Sequence, residues 1–464
     1  MTIIERIETP GIAHFSYVVG TKGDTQVIVI DPRRDIDVYL QLAEQKGYKI
    51  VGVVDTHIHA DYISGAAALA AAAKCELSLS AYDRNERYQV KSAHRLLHDG
   101  DKIMVGNAYV QVLHTPGHTP EHISLLLHDT QGKPTALFSG DFLFIGSVGR
   151  PDLLGEEHRQ ALARKLYQSI RGKLTTIPDD VQVLPAHGAG SFCGGGIAAK
   201  SSSTMQEERR TNPFLKDMSE EQFVKMLLQS LPFRPEYYAR VKEQNTQELP
   251  TLDLSKSIPP LSADTCKKHL GHGVTFLDVR DPASFSAGHI PGAFCIGLNP
   301  QFITYAATVL PGDREIIVVC DDPRQLDEIR RNLTRVGLDK ILGYLEGGIK
   351  SWQAGGFEVA TLPQIMPQDL QLKLAQEKNI AVIDVRMDAE WQAFHVAGAQ
   401  HVPLIELPTR LKEIPANTKL AIMCAAGYRS TIASSILEHA GYTQLHNVVG
   451  GINGWNQAGL PVES

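Results

Sequence analysis

Asp55-Thr56-His57-Ile58-His59-Ala60-Asp61-Tyr62 follows directly on the apolar run Ile50-Val51-Gly52-Val53-Val54. A short apolar run of this kind reads as a buried strand, so the two histidines and the aspartate two residues further on stand at a strand end. Alternate residues of an extended segment point to the same side. Imidazole nitrogen and carboxylate oxygen are donors that zinc or iron accepts. The stretch predicts a metal centre at the end of a strand.

Three distant stretches repeat the pattern. His118 lies in the Pro- and Gly-marked turn His114-Thr115-Pro116-Gly117-His118 after the strand-like Val110-Gln111-Val112-Leu113. Asp141 closes Ala136-Leu137-Phe138-Ser139-Gly140-Asp141, and His187 closes Val181-Gln182-Val183-Leu184-Pro185-Ala186-His187. A single such histidine is ordinarily a solvated or hydrogen-bonded side chain; four strand ends each delivering a ligand-type residue point to a metal. His114, His122 and His128 keep the ordinary reading.

These residues resemble the metallo-beta-lactamase superfamily, whose motif is His-x-His-x-Asp-His with a later His, Asp and His, over the first half of the chain. Tyr62 stands where that motif has its last histidine. A phenol stays protonated near neutral pH and is a poor neutral donor, which disfavours a two-metal hydrolase and favours one metal. The segment from Ser139 to Leu153, with Gly149-Arg150-Pro151-Asp152, resembles the persulfide dioxygenase branch. That resemblance implies one Fe(2+) per chain held by His57, His118 and Asp141. Zn(2+) is the alternative in isolated protein, because zinc binds most nitrogen and oxygen sites more tightly than ferrous iron. Two imidazoles and a carboxylate occupy one face of an octahedral ion and leave the other open. His59, Asp61, Tyr62 and His187 are then expected to orient ligands, bound water or substrate, with plain packing an equal reading for Tyr62. Arg150 reads as an anchor for an anionic substrate or as half of an ion pair.

The second half repeats itself. Leu277-Asp278-Val279-Arg280 with His289-Ile290-Pro291-Gly292-Ala293 recurs as Ile383-Asp384-Val385-Arg386 with His395-Val396-Ala397-Gly398-Ala399, and Gly347-Gly348-Ile349 with Trp352 recurs as Gly450-Gly451-Ile452 with Trp455. Strand and helix alternate in each copy, which argues a mostly parallel sheet covered by helices. Both copies resemble the rhodanese family of sulfurtransferases. Each has an apolar run ending in cysteine. Cys424-Ala425-Ala426-Gly427-Tyr428-Arg429-Ser430 precedes a helix-compatible run, so backbone N–H groups at Gly427 to Ser430, a helix N-terminus and Arg429 surround the sulfur and suit an anionic persulfide. Cys424 is the expected nucleophile, Arg429 its cationic partner, and Gly427 and Ser430 substrate-binding residues. In Cys320-Asp321-Asp322-Pro323-Arg324 two acids disfavour a thiolate and Pro323 removes a donor, so the first copy is expected to be catalytically degenerate. The Asp-Val-Arg tripeptides read as structural ion pairs. Cys193, one Gly-rich turn after His187, reads equally as a sulfur relay returning to the metal pocket or as a small packed side chain.

The expected architecture is α/β: a metallo-beta-lactamase αββα sandwich over residues 1–250, then two rhodanese-like doubly wound units at 262–361 and 362–464, joined by the Pro-containing segment 248–260 and by Thr361-Leu362-Pro363. A chain of 464 residues accommodates three such domains. The amino terminus interleaves charge with apolar residues, no apolar run is long enough to span a bilayer, and six cysteines lack framework spacing. These features lead to the expectation of a cytoplasmic protein without membrane partners. A net charge of −7 argues against a nucleic-acid-binding surface. Nearly the full length resembles bacterial persulfide dioxygenase–sulfurtransferase fusions. The resemblance implies oxidation of a low-molecular-weight thiol persulfide by O2 to sulfite, sulfur transfer at Cys424 that makes or uses thiosulfate, and a homo-oligomer. The alternatives are a glyoxalase II-type thioester hydrolase using a metal-bound hydroxide and a non-oxidative sulfur carrier or scaffold.

Overall fold

The computed structural model describes residues 2–84, 86–377 and 379–463. The chain divides into two compact units, one running to Asp253 and including Thr334–Gly337, the other made of the remainder.

The first unit holds two six-stranded sheets. In one, Thr2–Thr9, His14–Thr21 and Gln26–Ile30 run antiparallel and continue into the parallel strands Lys49–Val54, Glu76–Ser80 and Arg95–Leu97. The other runs Ser203–Thr204, Gln182–Pro185, Pro134–Gly140, Ile123–His128, Ala108–His114 and Lys102–Val105. Inward-facing side chains of both sheets, among them Tyr17, Val19, Ile28, Val54, Val110, Leu125 and Phe138, form one shared core. The outer face of the first sheet packs Val27, Val29 and Val53 against helices Asp37–Lys46 and Ala66–Ala73. The outer face of the second packs Leu137 and Val183 against Arg159–Lys173 and Glu220–Gln229. The expected αββα layering is thus present, and it follows from strands that are apolar on both faces. Glu220–Gln229 buries Phe223 and Leu227 and begins with a capping box at Ser219. The polar segment that precedes it opens with the short strand Ser203–Thr204. Its helix starts at Met205, where the Thr204 side chain caps Glu207 N–H.

The second unit contains the two copies as matching five-stranded parallel sheets. Pro260–Leu261, Ile341–Leu345, Ile316–Val319, Thr275–Asp278 and Phe294–Cys295 in one correspond in order to Gln364–Ile365, Leu445–Val448, Lys419–Met423, Ile380–Asp384 and Gln400–His401 in the other. The repeated tryptophans are buried equivalently, Trp352 donating to Glu358 O at 2.8 Å and Trp455 to Pro461 O at 2.9 Å. The Asp-Val-Arg arginines pair with their own aspartates, Arg280 with Asp278 and Arg386 with Asp384. Each also donates to a carbonyl of the neighbouring loop, at Gly288 and Phe394.

Candidate metal centre and sulfur-carrying cysteine

The loop after strand Lys49–Val54 is pinned from behind. Asp31 accepts from Thr56 N–H at 2.7 Å and from the Thr56 hydroxyl at 2.9 Å. Glu121 accepts from Ile58 N–H, the buried Lys242 ammonium donates to Ile58 O at 2.9 Å, and the Asn245 amide donates to His59 O and Tyr62 O.

On this support three donor atoms converge. His57 Nε2 lies 3.7 Å and His118 Nε2 3.4 Å from Asp141 Oδ2, all deeply buried. Each imidazole has a partner for its other nitrogen: the Thr56 hydroxyl is 3.0 Å from His57 Nδ1, and Arg150 O accepts from His118 Nδ1 at 2.9 Å. That fixes both tautomers with Nε2 lone pairs facing the carboxylate. Burial, then neighbouring histidines, hold His57 and His118 well below the usual imidazole range, so both are neutral ligand-type rings. Among the described residues, His118 Nε2 and Asp141 Oδ2 have no hydrogen-bond partner. An unsatisfied buried acceptor costs about 1–3 kcal/mol, and a cation would satisfy both at once. The donor set fits a metal with N and O preferences, zinc or ferrous iron alike.

The remaining predicted residues gather around this trio. His187 Nδ1 donates to Asp141 Oδ1 at 2.7 Å. Burial lowers the His187 pKa, but the Asp141 and Asp61 carboxylates overcome it and carry it well above the usual range. Asp61 Oδ2 is 2.8 Å from His187 Nε2. His59 is paired with Asp31 at 3.2 Å, its ring 4.2 Å from that of His57. Tyr62 donates to Asp31 O at 3.2 Å, so its hydroxyl is committed to the backbone. Cys193 returns to this region, in a cluster with Asp61 and His187. Burial and both carboxylates push its thiol well up.

Of the two readings of Arg150, the structure shows the ion pair. Its donors are taken by Asp152 at 2.7 and 2.9 Å and by the carbonyls of Phe192, Pro232 and Phe233, and it is 1% exposed. Its contribution to the site is its backbone carbonyl, which orients His118. His122, read from sequence as an ordinary histidine, stacks on His57 at 5.1 Å and accepts from Asp141 N–H at 3.0 Å. No sequence signal marks it, because its neighbours are set by three separate loops.

In the second unit, strand Lys419–Met423 ends at Cys424 and helix Tyr428–His439 begins after Gly427, whose φ of 115° favours glycine. Gly427 N–H donates to Cys424 Sγ at 3.1 Å, and the Ser430 hydroxyl lies 3.4 Å from it. The repeated Gly-Gly is explained here: a Cβ on Gly451 would sit 2.2 Å from Cys424 O, to which Ile452 N–H gives no room to retreat at 2.8 Å. Arg429 is not a free cation, since Glu390 grips it through two bonds of 2.6 and 2.7 Å. At the matching place in the first copy, burial and then Asp321 and Asp322 push the Cys320 thiol up to about 11. Cys320 lines a cavity of about 680 Å³ with Arg280, Asp321 and Lys350.

The metallo-beta-lactamase superfamily profile matches residues 9–187, and the rhodanese-like domain profile matches residues 262–355 and 366–458. The human mitochondrial persulfide dioxygenase ETHE1 is 31% identical over 231 residues, covering 48% of this chain and 80% of that protein. The chain belongs to the ETHE1 family within the metallo-beta-lactamase superfamily. To this ETHE1-type domain it adds two rhodanese-like domains, and the combination places it in sulfur metabolism. A hydroxyacylglutathione hydrolase from a Polaromonas species is 34% identical over 187 residues, 40% of this chain and 66% of that protein. A solved structure described as a metallo-beta-lactamase from Staphylococcus aureus superposes over 74% of this chain and 98% of its own length, with TM-score 0.67 and 29% identity. Such kinship carries a metal-binding site, and His57, His118 and Asp141 are the residues here that could form it.

Proposed function

We propose that this chain is an iron-dependent persulfide dioxygenase coupled to a sulfurtransferase, with working parts at residues 1–250, 262–361 and 362–464. The balanced oxidation is RSS⁻ + O2 + H2O → RSH + SO3²⁻ + H⁺. The observation that carries the reading is the pair of unpartnered acceptors, His118 Nε2 and Asp141 Oδ2, facing His57 beside a tyrosine where a second metal's imidazole would stand. Held there, one ferrous ion supplies the oxygen-activating chemistry. The chain's own residues supply the rest: Thr56 and Arg150 O fix the imidazole tautomers, and His187 holds the Asp141 carboxylate by Oδ1 so that Oδ2 faces inward. Cys193 is a buried neutral thiol beside Asp61 and is given no step.

Cys424 takes sulfane sulfur from a persulfide and passes it to sulfite. Sulfite attacks the outer sulfur of Cys424–S–S⁻, the S–S bond breaks, and its electron pair leaves on the Cys424 thiolate as thiosulfate departs; run backwards, the step uses thiosulfate. Gly427 N–H and Ser430 stabilise the negative sulfur. The fit to a reducing compartment and to a homo-oligomer belongs to the same proposal. Thioester hydrolysis is the second reading, favoured by the similarity to a hydroxyacylglutathione hydrolase. Cys424→Ser tests the division of labour. Oxygen uptake should survive while sulfite accumulates in place of thiosulfate; loss of oxygen uptake with iron intact would overturn it.

A further inference from the structure

Behind Ser430 runs a file of polar side chains that the transfer step does not use. Gln364 is exposed on the edge strand Gln364–Ile365, and its Nε2 donates to Leu362 O at 3.0 Å. Its Oε1 accepts from Asn447 Nδ2 at 2.8 Å, and Asn447 Oδ1 accepts from the Ser430 hydroxyl at 2.6 Å. Ser430 Oγ in turn lies 3.4 Å from Cys424 Sγ. Asn447 and Ser430 are both buried, so these bonds stand in for bonds to water.

The direction of the file is fixed from its outer end. A carbonyl oxygen only accepts, so Leu362 O requires the Gln364 amide nitrogen. That leaves Gln364 Oε1 to take the Asn447 nitrogen and Asn447 Oδ1 to face Ser430. A serine hydroxyl has one hydrogen. With that hydrogen on Asn447, Ser430 Oγ turns a lone pair to Sγ, which suits an S–H and opposes negative charge there. A negative Sγ draws the hydrogen to itself only by breaking the 2.6 Å bond, the shorter of two, since Ser430 also reaches Gly427 O at 3.0 Å. Once Cys424 carries sulfane sulfur the charge sits on the outer sulfur, and Sγ is neutral.

The first copy lacks the file. Pro260 pairs with Tyr344 where Gln364 pairs with Asn447, and the sixth residue after Cys320 is Leu326, where the sixth after Cys424 is Ser430. All three polar side chains are missing beside the cysteine that has no competent loop.

We propose that Asn447 is a positioning residue of the Cys424 site: by holding the Ser430 hydrogen it weights the empty cysteine toward the thiol, against the pull of the Gly427 N–H, and leaves the loaded persulfide unopposed. Charge in the loop is thereby reserved for the sulfur being carried. Asn447 acts through Ser430 and changes no bond of the transfer. This inference rests on the reading of Cys424 as the sulfur carrier.

Full-length Asn447→Leu protein is alkylated with iodoacetamide across pH, with Cys424 labelling followed by mass spectrometry. Half of the limiting rate should be reached about one pH unit lower than in the wild type, the scale of one hydrogen bond between neutral groups. The limiting rate itself should not change. In a Ser430→Ala background the same substitution should add no shift, because the two residues act as a unit. Gln364→Ala, at an exposed position, lets the Asn447 amide turn its nitrogen toward Ser430 and should shift the profile the same way by less. An unmoved midpoint in Asn447→Leu, or in Gln364→Ala where the first variant does not fold, would overturn the inference. So would a raised limiting rate at an unmoved midpoint, which means a loosened loop, or a shift that persists without the Ser430 hydroxyl. The alkylation profile reads the thiol whether or not it carries sulfur. Cys424→Ser in the thiosulfate assay tests the carrier: if that variant still makes thiosulfate enzymatically, the reading of Cys424 fails; if it does not and the profile is unmoved, only the role of Asn447 fails.

Discussion

Gly149→Ala probes how the metal loop is held. A Cβ at Gly149 would lie 1.9 Å from Asp141 O, 2.9 Å from His118 Nδ1 and 3.0 Å from His118 Cβ. Carbon and oxygen meet comfortably at about 3.3–3.6 Å, so the backbone must open by more than about 1 Å, and both residues it pushes are proposed ligands. The next residue carries the carbonyl that orients His118. Overpacking of this kind costs roughly 1–3 kcal/mol, and a disturbed orienting group costs roughly 10–100-fold in metal affinity. Gly172 is the control. It lies in the last turn of helix Arg159–Lys173, an added Cβ there meets no atom within 4 Å, and alanine should be neutral or stabilise by up to about 1 kcal/mol. Metal retained against graded chelator, together with urea unfolding of the metal-free protein, reads both effects. If Gly149→Ala kept metal as tightly as wild type and unfolded at the same urea concentration, the close approach of this loop to the ligands would be refuted.

Lys242→Met should destabilise the first unit by about 3–5 kcal/mol, because it strands Glu121, a buried partner 3.3 Å away; adding Glu121→Gln should recover part of the loss in chemical denaturation. Glu390→Gln should slow thiosulfate formation about tenfold by releasing Arg429 from its bidentate grip. The hydrogen bond from Arg429 holds the Glu390 carboxyl below its usual range, so the pair's contribution is present above the ordinary carboxylate pKa and lost as pH falls through the lowered one. The acid limb of sulfur transfer should therefore flatten in this variant. Alkylation of Cys320, read by mass spectrometry, should climb with pH until about 11. Because the folded thiol is raised from 9.0, its contribution to stability is full below 9.0 and lost as pH rises toward about 11. Rapid alkylation of Cys320 at neutral pH would contradict the degenerate assignment.

The sequence revealed what is local or periodic. His57, His118, Asp141 and His187 each follow an apolar strand, and the repeated Asp-Val-Arg and Gly-Gly-Ile segments mark two copies whose strand orders coincide. What stayed hidden depends on distant partners. Glu121 and Lys242 meet behind the metal loop from positions 121 residues apart, and Arg429 meets Glu390 from 39 residues away. Arg150 looked available because its neighbours in sequence leave it so; carbonyls 42 to 83 residues away consume its donors. His122 carries no motif, and its placement comes from packing alone.

Protein purified without air, analysed for metal and then given glutathione persulfide in an oxygen electrode tests the central claim. The account predicts one iron per chain and one O2 consumed per sulfite released. Two cations bridged by Asp141, or zinc with thioester cleavage and no oxygen uptake, would contradict it.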